Sequence, residues 1–280
     1  MLNFEAVITS RQNPTVKRIC ALSEKKKRYA DRLFRFDGIK LLREAIAADL
    51  ELETVVVCED ISDAIASELS RFVDSGELKR ELILAVSPEV FEKISEERSP
   101  EGILTVARFE EKRHRRVEDA EGYSLDAGES ILIAQSLRDA GNLGTVIRSC
   151  AALGIDRLVI SDDCADLYNP KTIRAAMGGL FTLNIDMIPC ERMASAIRSL
   201  RKGGRRIYAA ALHTKALNVG EIALARGDAF VIGNEGHGLP SETIEACDAC
   251  AIIPMREGSE SLNAAAAAAI CIWETVRGAK

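Results

Sequence analysis

The most informative stretch of this 280-residue chain is Val231-Ile-Gly-Asn-Glu-Gly-His-Gly-Leu-Pro240, which places three glycines within six residues directly after an apolar run. Glycines at that density after a strand indicate that the backbone turns sharply or lies close to a ligand. Glu235 lies inside this loop, where a purely solubilising role is not expected. A plain turn is the alternative interpretation.

A second polar segment, Asp139-Ala-Gly-Asn-Leu-Gly-Thr-Val-Ile-Arg148, also follows an apolar run. Asn142 is placed to cap a helix that Gly154 ends. Asn142, Thr145 and Arg148 are spaced by three, so we expect them along one side of that helix. The segment could equally be an ordinary cap with a surface arginine.

A third segment, Ile252-Ile-Pro-Met-Arg-Glu-Gly-Ser-Glu-Ser-Leu-Asn263, leads into an alanine-rich run of high helix propensity. Ser261 and Asn263 stand at the start of this predicted helix, where helix capping is the alternative to a functional role. Three such loops in one domain make a converging site more probable than any one loop does.

The order of apolar and helical stretches predicts an α/β fold. Before residue 109, they alternate in the manner of a small α/β domain. After residue 130, short apolar runs of buried-strand type alternate with helices, which predicts a parallel sheet with ligands at the carboxyl ends of its strands. We therefore predict domains at 1–108 and 131–280, joined by a charged linker at 109–130.

Charge is unevenly distributed along the chain. The net charge of −6 taken alone argues against binding to nucleic acid. Residues 11–35, however, hold nine Lys or Arg against two acids, a local charge of +7. This basic stretch, with Tyr29, Phe34 and Phe36 as residues that could stack on bases, favours RNA binding. A solvated charged helix is the alternative.

The remaining composition excludes several classes of protein. Eight scattered cysteines indicate reduced thiols, and Cys247-Asp-Ala-Cys250 lacks the second pair or the histidines of a zinc site, so we expect no metal. The first ten residues are no signal peptide, and the longest apolar stretch, Ala264–Trp273, is too short to span a membrane. We expect a soluble, cytoplasmic protein.

No phosphate-binding fingerprint is present. Gly141-Asn-Leu-Gly144 lacks the spacing that lays a pyrophosphate on a helix terminus, which disfavours a nucleotide-dependent oxidoreductase, and there is no P-loop. A nucleoside cofactor without phosphates, such as S-adenosylmethionine, suits these glycine loops better.

The three segments together resemble the three motifs of the SpoU (TrmH) family of RNA ribose 2′-O-methyltransferases, within the SPOUT class. Asn142 and Arg148 match the first motif, Gly233-Asn-Glu-Gly236 the second, and Ile253-Pro-Met with Ser261-Leu-Asn263 the third. Asn169-Pro-Lys-Thr-Ile-Arg-Ala-Ala-Met-Gly178 also resembles a recurrent family segment, and the N-terminal half resembles the substrate-binding domain of many members.

This resemblance implies a small L30e-like RNA-binding domain, a C-terminal SPOUT domain tied in a trefoil knot, and a homodimer. The residues implied to bind S-adenosylmethionine are Gly233, Ile253, Leu262, Leu212, Gly236 and Met255. The residues implied in substrate positioning and catalysis are Asn142, Arg148, Glu235, Ser261 and Asn263. The candidates for RNA binding are Arg11, Lys17, Lys25, Lys26, Lys27, Arg28, Lys40 and Arg174.

The resemblance implies methylation of a ribose 2′-hydroxyl in structured RNA, with 23S rRNA favoured because of the appended N-terminal domain. The alternatives are a tRNA 2′-O-methyltransferase and a catalytically silent RNA- or ribosome-binding protein of the same fold. The family's first-motif arginine has been assigned as a base. Because a guanidinium stays charged, we favour Arg148 as a phosphate clamp that also stabilises the developing alkoxide.

Overall fold

The computed structural model describes residues 6–213, 215–234, 236–256 and 261–278. The strands are β1 Val7–Ile8, β2 Leu33–Asp37, β3 Leu52–Cys58, β4 Ile83–Val86, β5 Ile103–Arg108, β6 His114–Arg116, β7 Ile131–Ala134, β8 Arg157–Ser161, β9 Asn184–Ile188, β10 Ile207–Ala210, β11 Leu217–Asn218, β12 Ala229–Ile232 and β13 Ala249–Ile252.

The α-helices are α1 Pro14–Ala21, α2 Lys25–Asp31, α3 Ile39–Ala47, α4 Asp63–Asp74, α5 Pro88–Ile94, α6 Ala140–Leu153, α7 Pro170–Ala176, α8 Gly179–Thr182, α9 Met193–Lys202, α10 Ser241–Ala246 and α11 Ala264–Gly278. The chain divides into two compact units, Met1–Glu110 with Tyr168–Phe181, and Glu111–Leu167 with Thr182–Lys280. The boundaries predicted from the sequence differ from this division, because residues 168–181 group with the first unit.

The first unit contains a mixed sheet of order β1-β4-β3-β5-β2. β1, β4 and β3 run parallel to each other, whereas β5 is antiparallel to both β3 and β2. Apolar clusters lie on both faces of this sheet: one includes Val56, Leu104 and Phe91, and the other includes Val55 and Leu42. The alternating strands and helices predicted for this half are therefore observed. α1 and α2 lie in the basic stretch of residues 11–35, for which a charged helix was only the alternative interpretation.

Residues 168–181 join the first unit through aromatic side chains. Phe34 and Phe36 of β2 are buried and contact Phe181, at ring-centroid distances of 6.2 and 5.2 Å. Tyr168 stacks on Phe109 at 3.8 Å and lies 4.8 Å from Phe34. The expectation that Phe34 and Phe36 stack on RNA bases is therefore wrong, because these rings form the core that holds Tyr168–Phe181.

The second unit contains a sheet of order β11-β13-β10-β12-β7-β8-β9-β6, in which all pairs of neighbouring strands among the described residues are parallel. Its core packs apolar residues of α9, such as Ile197, against central strands. α6 and α11 pack against each other, and α11 also contacts β12. The predicted parallel α/β sheet is confirmed.

The segment predicted as a linker, 109–130, is largely part of the second unit rather than a free connection. It contributes the edge strand β6, and Tyr123 is buried. Arg115 donates two hydrogen bonds to the buried carboxylate of Asp186, Tyr123 donates a third and Arg157 a fourth. Burial alone would raise the pKa of Asp186, but these donors outweigh it and lower that pKa. Arg115 of this segment therefore has a structural role, because it binds the buried Asp186.

Two strands have other bounds than the apolar runs of the sequence suggest. The apolar run 181–188 predicts a strand over its whole length, but the strand begins at Asn184 because Gly179–Thr182 forms a helical turn. The apolar run 251–255 also predicts a strand, but the observed strand is Ala249–Ile252, and residues 253–255 belong to the following loop. In the described ranges, no helix combines the length and apolar character needed to cross a bilayer.

Candidate functional site

A cavity of about 410 Å³ lies at the carboxyl ends of β10, β12 and β13. Ala210, Ile232 and Ile252, the last residues of these three strands, all line it. Its described lining includes no Asp, Glu, Lys or Arg. This volume and largely apolar lining are typical of a site for a small organic molecule.

One wall of the cavity is the loop that follows β12. A Cβ atom at Gly233 would lie 2.7 Å from the carbonyl carbon of Gly238, so only glycine fits without moving the backbone. Asn234 folds the loop, because its Oδ1 accepts hydrogen bonds from the backbone N–H groups of Gly236 and His237, at 2.8 and 3.2 Å. Asn234 and Gly238 also exchange backbone hydrogen bonds. The loop is thus a tight turn with one face open to the cavity.

Most residues predicted to bind the cofactor lie around this cavity. Its described lining includes Leu212, Gly233, Ile253, Met255 and Leu262. Gly236 is not part of that lining, and its N–H donates to Asn234 instead. Leu212 is 76% exposed, so this apolar side chain is available to cover a bound ligand.

The first and third motifs meet where α6 and α11 begin. The side-chain amide of Asn263 donates from Nδ2 to Oδ1 of Asn142 at 3.0 Å. Oδ1 of Asn263 accepts from the N–H groups of Ala265 and Ala266 at 2.9 and 3.3 Å, which caps α11. Ser261, two residues earlier, lines the cavity. The third motif therefore connects the cavity to Asn142.

Asn142 does not cap α6, contrary to the sequence-based prediction. Asp139 takes that role by accepting a hydrogen bond from the N–H of Asn142 at 2.9 Å, and the helix begins at Ala140. Aspartate is as strong a cap as asparagine, so the two candidates could not be separated from the sequence. The side chain of Asn142 is left to reach Asn263. Gly154 ends the helix with φ +83°, as predicted.

Arg148 lies on the exposed side of α6. On the same helix, the hydroxyl of Thr145 donates to the carbonyl of Gly141, and that of Ser149 donates to the carbonyl of Thr145. These hydroxyls are therefore satisfied within the helix, whereas Arg148 has no ion pair among the described residues. A guanidinium in this position suits a phosphate group. Glu235, the other predicted charged catalytic residue, lies outside the described residues.

Asn234 is a residue whose role sequence reasoning missed. An asparagine among closely spaced glycines is typical of a turn in which its side chain accepts from the backbone, so this signal was present. Ser136, which binds Asn234, carries no recognisable signal in the sequence. Its hydrogen-bond partners lie at the end of β8 and after β12, the two strands that flank β7 in the sheet.

The paired thiols Cys247 and Cys250 belong to the apolar core of the second unit. Burial raises the pKa of Cys247 to about 12 and also raises that of Cys250, which keeps both thiols protonated. All eight cysteines lie in the described ranges and are free. The described residues contain no cluster of three or more His, Cys, Asp or Glu that could hold a metal ion.

The predicted RNA-binding residues of the first unit separate into exposed and buried groups. Those with exposed side chains are Arg11, Lys17, Lys25, Lys26, Lys40 and Arg174. Arg11 pairs weakly with Glu92, Arg174 pairs with Glu97, and Lys27 binds Asp31 at 2.8 Å.

Arg28 is only 2% exposed, so its prediction as an RNA ligand is wrong. It faces inward from α2 and donates to the carbonyls of Leu22 and Ser23 at 2.9 and 2.6 Å, which ties the two N-terminal helices together.

The comparisons with known proteins agree with this geometry. Residues 13–105 match the MRM3-like substrate binding domain. Over 266 residues the chain is 29% identical to the 23S rRNA (guanosine(2553)-2′-O)-methyltransferase RlmP of Bacillus subtilis, covering 95% of this chain and 97% of that protein.

Crystal structures with the same fold cover nearly the whole chain. An S-adenosylmethionine-bound rRNA methyltransferase from Sinorhizobium meliloti is 27% identical with a TM-score of 0.80, covering 97% of each chain. An RNA 2′-O ribose methyltransferase is 29% identical with a TM-score of 0.79, covering 98% of this chain and 99% of that one. Residues 129–273 match the SpoU rRNA Methylase family. The chain therefore belongs to the SpoU rRNA methylase family, and the resemblance predicted from its three motifs is confirmed.

Proposed function

We propose that this protein transfers a methyl group from S-adenosylmethionine to a ribose 2′-hydroxyl of 23S rRNA. The observation that carries the proposal is the hydrogen bond between Asn142 and Asn263. Asn263 follows the cavity-lining residue Ser261 by two positions. The bond joins Asn142 of the first motif to the third motif, whose Ser261 and Leu262 line the cavity. The near full-length likeness to an enzyme named as a 23S rRNA 2′-O-methyltransferase supports the substrate class.

The cavity fits S-adenosylmethionine. It has the volume of a site for a molecule of that size, its described lining has no Asp, Glu, Lys or Arg, and Gly233 allows the tight turn that forms one wall. Leu212, Gly233, Ile253, Met255 and Leu262 would hold the nucleoside, with Gly236 shaping the same loop. The bound cofactor supplies an electrophilic methyl group on a sulfonium.

The chain's own residues then have to orient the ribose and assist the loss of its proton. Arg148 is exposed and suited to clamp an RNA phosphate and to stabilise the developing alkoxide. Asn142 and Ser261 are placed to orient the hydroxyl, and Asn263 positions Asn142. Glu235 completes the proposed set through its place in the second motif.

The RNA would bind to exposed cations of the first unit, above all Lys17, Lys25, Lys26 and Lys40. Arg11, Lys27 and Arg174 already pair with acids, so they would contribute less. We keep 1–108 and 131–280 as the functional domains, with residues 168–181 bound to the first.

Three further features belong to the same proposal. A homodimer is supported by Ile270 and Trp273, large apolar side chains 38% and 54% exposed on one side of α11. A trefoil knot is supported by the family fold and by β12 and β13, which flank β10 on both sides. A cytoplasmic location is supported by the free cysteines and by an rRNA substrate.

Mapping of ribose methylation over total RNA, with and without the gene, tests the proposal. We expect the loss of one 2′-O-methyl group in 23S rRNA and its return when the gene is restored. Loss of a tRNA methyl group instead would identify the tRNA alternative. An unchanged map, together with cofactor binding but no methyl transfer by the purified protein, would identify a catalytically silent RNA-binding protein.

A further inference from the structure

Ser136 has an unusual backbone conformation beside the site. It follows β7 by two residues and has φ +57°, a left-handed value that costs energy for any residue other than glycine. Its conformation must therefore be held by its surroundings. Three residues from other parts of the chain, Ser161, Asp163 and Asn234, each bind a different polar group of Ser136.

Two of these contacts anchor Ser136 to the end of β8. Its N–H donates to Oγ of the buried Ser161 at 2.7 Å, and its own hydroxyl donates to Oδ2 of Asp163 at 2.7 Å. Ser161 in turn donates to Oδ1 of Asp163 at 2.6 Å, so both carboxylate oxygens are engaged. Arg138 approaches Oδ2 at 3.4 Å. Burial tends to raise the pKa of Asp163, but these hydrogen bonds outweigh it and lower that pKa, as expected for a charged anchor.

The third contact reaches the cavity wall. The carbonyl of Ser136 accepts a hydrogen bond from Nδ2 of Asn234 at 2.9 Å. The other end of that amide accepts from the N–H groups of Gly236 and His237, which fixes its orientation. Asn234, His237 and Gly238 line the cavity. A continuous chain of hydrogen bonds therefore runs from Asp163 through Ser136 to the cavity loop.

The same residue also precedes the first motif. Only Leu137 and Arg138 separate Ser136 from Asp139, the cap of α6. The direction that the backbone takes at Ser136 therefore affects where Asn142 and Arg148 begin their helix. A change in its conformation would move the first motif relative to the second.

We propose that Ser136 is a positioning residue, which Asp163 and Ser161 hold in its left-handed conformation so that its carbonyl fixes the Asn234 turn against the start of α6. Ser136 is not among the described residues that line the cavity, and it acts through the loop that does line it. The proposal rests on the proposed function of that cavity, and it extends the site to residues outside the three motifs.

A double-mutant cycle tests whether Asp163 and Asn234 act through a shared residue. Asp163→Ala removes the anchor. Asn234→Asp keeps an oxygen for the turn but sets a second oxygen against the carbonyl of Ser136. We expect each single variant to bind S-adenosylmethionine about tenfold more weakly by titration calorimetry, the worth of one charge-assisted hydrogen bond.

The double variant should bind S-adenosylmethionine at most about threefold more weakly than the weaker-binding single variant, because both changes break the same chain of contacts. A double variant weakened by the full product of the two single effects would show independent roles and overturn the proposal. Single variants that change the dissociation constant by less than about twofold would do the same. If Asp163→Ala fails to fold, Asp163→Asn takes its place in the cycle.

Substitutions at Ser136 separate positioning from simple stability. Ser136→Ala and Ser136→Gly both lose the hydroxyl, but glycine adopts φ +57° without strain and should melt at or above the temperature of the alanine variant. We expect both to bind S-adenosylmethionine about three- to tenfold more weakly. Cofactor affinity that simply follows melting temperature would contradict a positioning role.

The matched control lies at the other end of β7. Ser130 immediately precedes this strand, and its hydroxyl donates to Asp156 at 2.8 Å, much as that of Ser136 donates to Asp163. Ser130→Ala should leave cofactor affinity within about twofold of the wild type and should combine additively with Asn234→Asp. Failure of the proposed function would appear separately, as wild-type protein that binds no S-adenosylmethionine or transfers no methyl group.

Discussion

Both units carry a cavity at the carboxyl ends of parallel strands, and the two cavities differ in chemistry. In the second unit, the cavity of about 410 Å³ is lined by glycines, apolar side chains and the polar residues Asn234, His237 and Ser261. In the first unit, a cavity of about 700 Å³ lies where β3 and β4 end and β5 begins. Its lining includes the acids Asp60, Glu89, Glu92, Glu97 and Glu101.

The difference shows that position in an α/β fold identifies a candidate site, whereas the lining decides what can bind. The larger cavity presents five carboxylates against one arginine, Arg98, so its lining repels the phosphates of RNA. RNA contacts on the first unit should therefore lie on the exposed lysines of α1 and α2 and on Lys40. The smaller, uncharged cavity suits the nucleoside cofactor.

The largest effect should come from Arg148, the exposed arginine of the first motif. Arg148→Lys keeps the charge but loses the paired donors that fit a phosphate, so methyl transfer should fall by about 100- to 1,000-fold. The dissociation constant for S-adenosylmethionine should stay within about threefold, since Arg148 is not among the described cavity-lining residues. Single-turnover transfer of labelled methyl groups and calorimetry give the two values. Near-normal transfer would rule out a clamp.

The next effect tests the close packing of the cavity wall. Gly233→Ala would place a Cβ 2.7 Å from the backbone of Gly238, which should weaken S-adenosylmethionine binding by about 10- to 100-fold. Gly220→Ala is the matched control in the same unit, because a Cβ there meets nothing within 4 Å. Equal affinities of the two variants would mean that the loop can open without cost.

A smaller effect is expected on the lysine-bearing surface of the first unit. Lys25→Gln with Lys26→Gln removes two exposed charges, so RNA affinity should fall and the slope of log K against log salt should decrease by about two units. Lys27→Gln should change the slope less, because Lys27 already binds Asp31. Fluorescence anisotropy with a 23S rRNA fragment measures both, and an unchanged slope in the double variant would place the RNA elsewhere.

The smallest effect should come from the acidic cavity. Glu89→Gln with Glu92→Gln leaves the shape of that cavity nearly unchanged and removes two charges. Binding of S-adenosylmethionine should stay within about twofold of the wild type, and RNA should bind slightly more tightly because repulsion is reduced. A clear loss of cofactor affinity would show that the acidic cavity contributes to cofactor binding. It would contradict the difference in function inferred for the two cavities.

Much of the catalytic unit was predictable because its signals are local. Strands end in glycine- and asparagine-containing loops, and parallel strands bring those loops to one edge, so the amino-acid sequence was enough to group Gly233, Ser261 and Asn142. Even there, local signals did not separate Asp139 from Asn142 as the helix cap. Only the three-dimensional contacts show that Asp139 caps α6 and that Asn142 binds Asn263.

The first unit was less predictable because burial depends on contacts distant in sequence. Arg28 lies in a run of consecutive charged residues, yet it faces inward and binds Leu22 and Ser23. Phe34 and Phe36 have the pattern of residues for base stacking, yet their partners Tyr168 and Phe181 lie far along the chain. Ser136 of the second unit was missed for the same reason, since its three partners, at the end of β8 and in two loops, are distant in sequence.

The placement of Tyr168–Phe181 in the first unit has a consequence for synthesis on the ribosome. Phe34 cannot complete its aromatic contacts when Glu110 has been made, because 71 further residues separate that point from Phe181. At about 5 to 20 residues per second this is a delay of about 4 to 14 s. During that interval Phe34 and Phe36 lack the rings of Tyr168 and Phe181, and strands β6 to β8 of the second unit are made before those rings arrive.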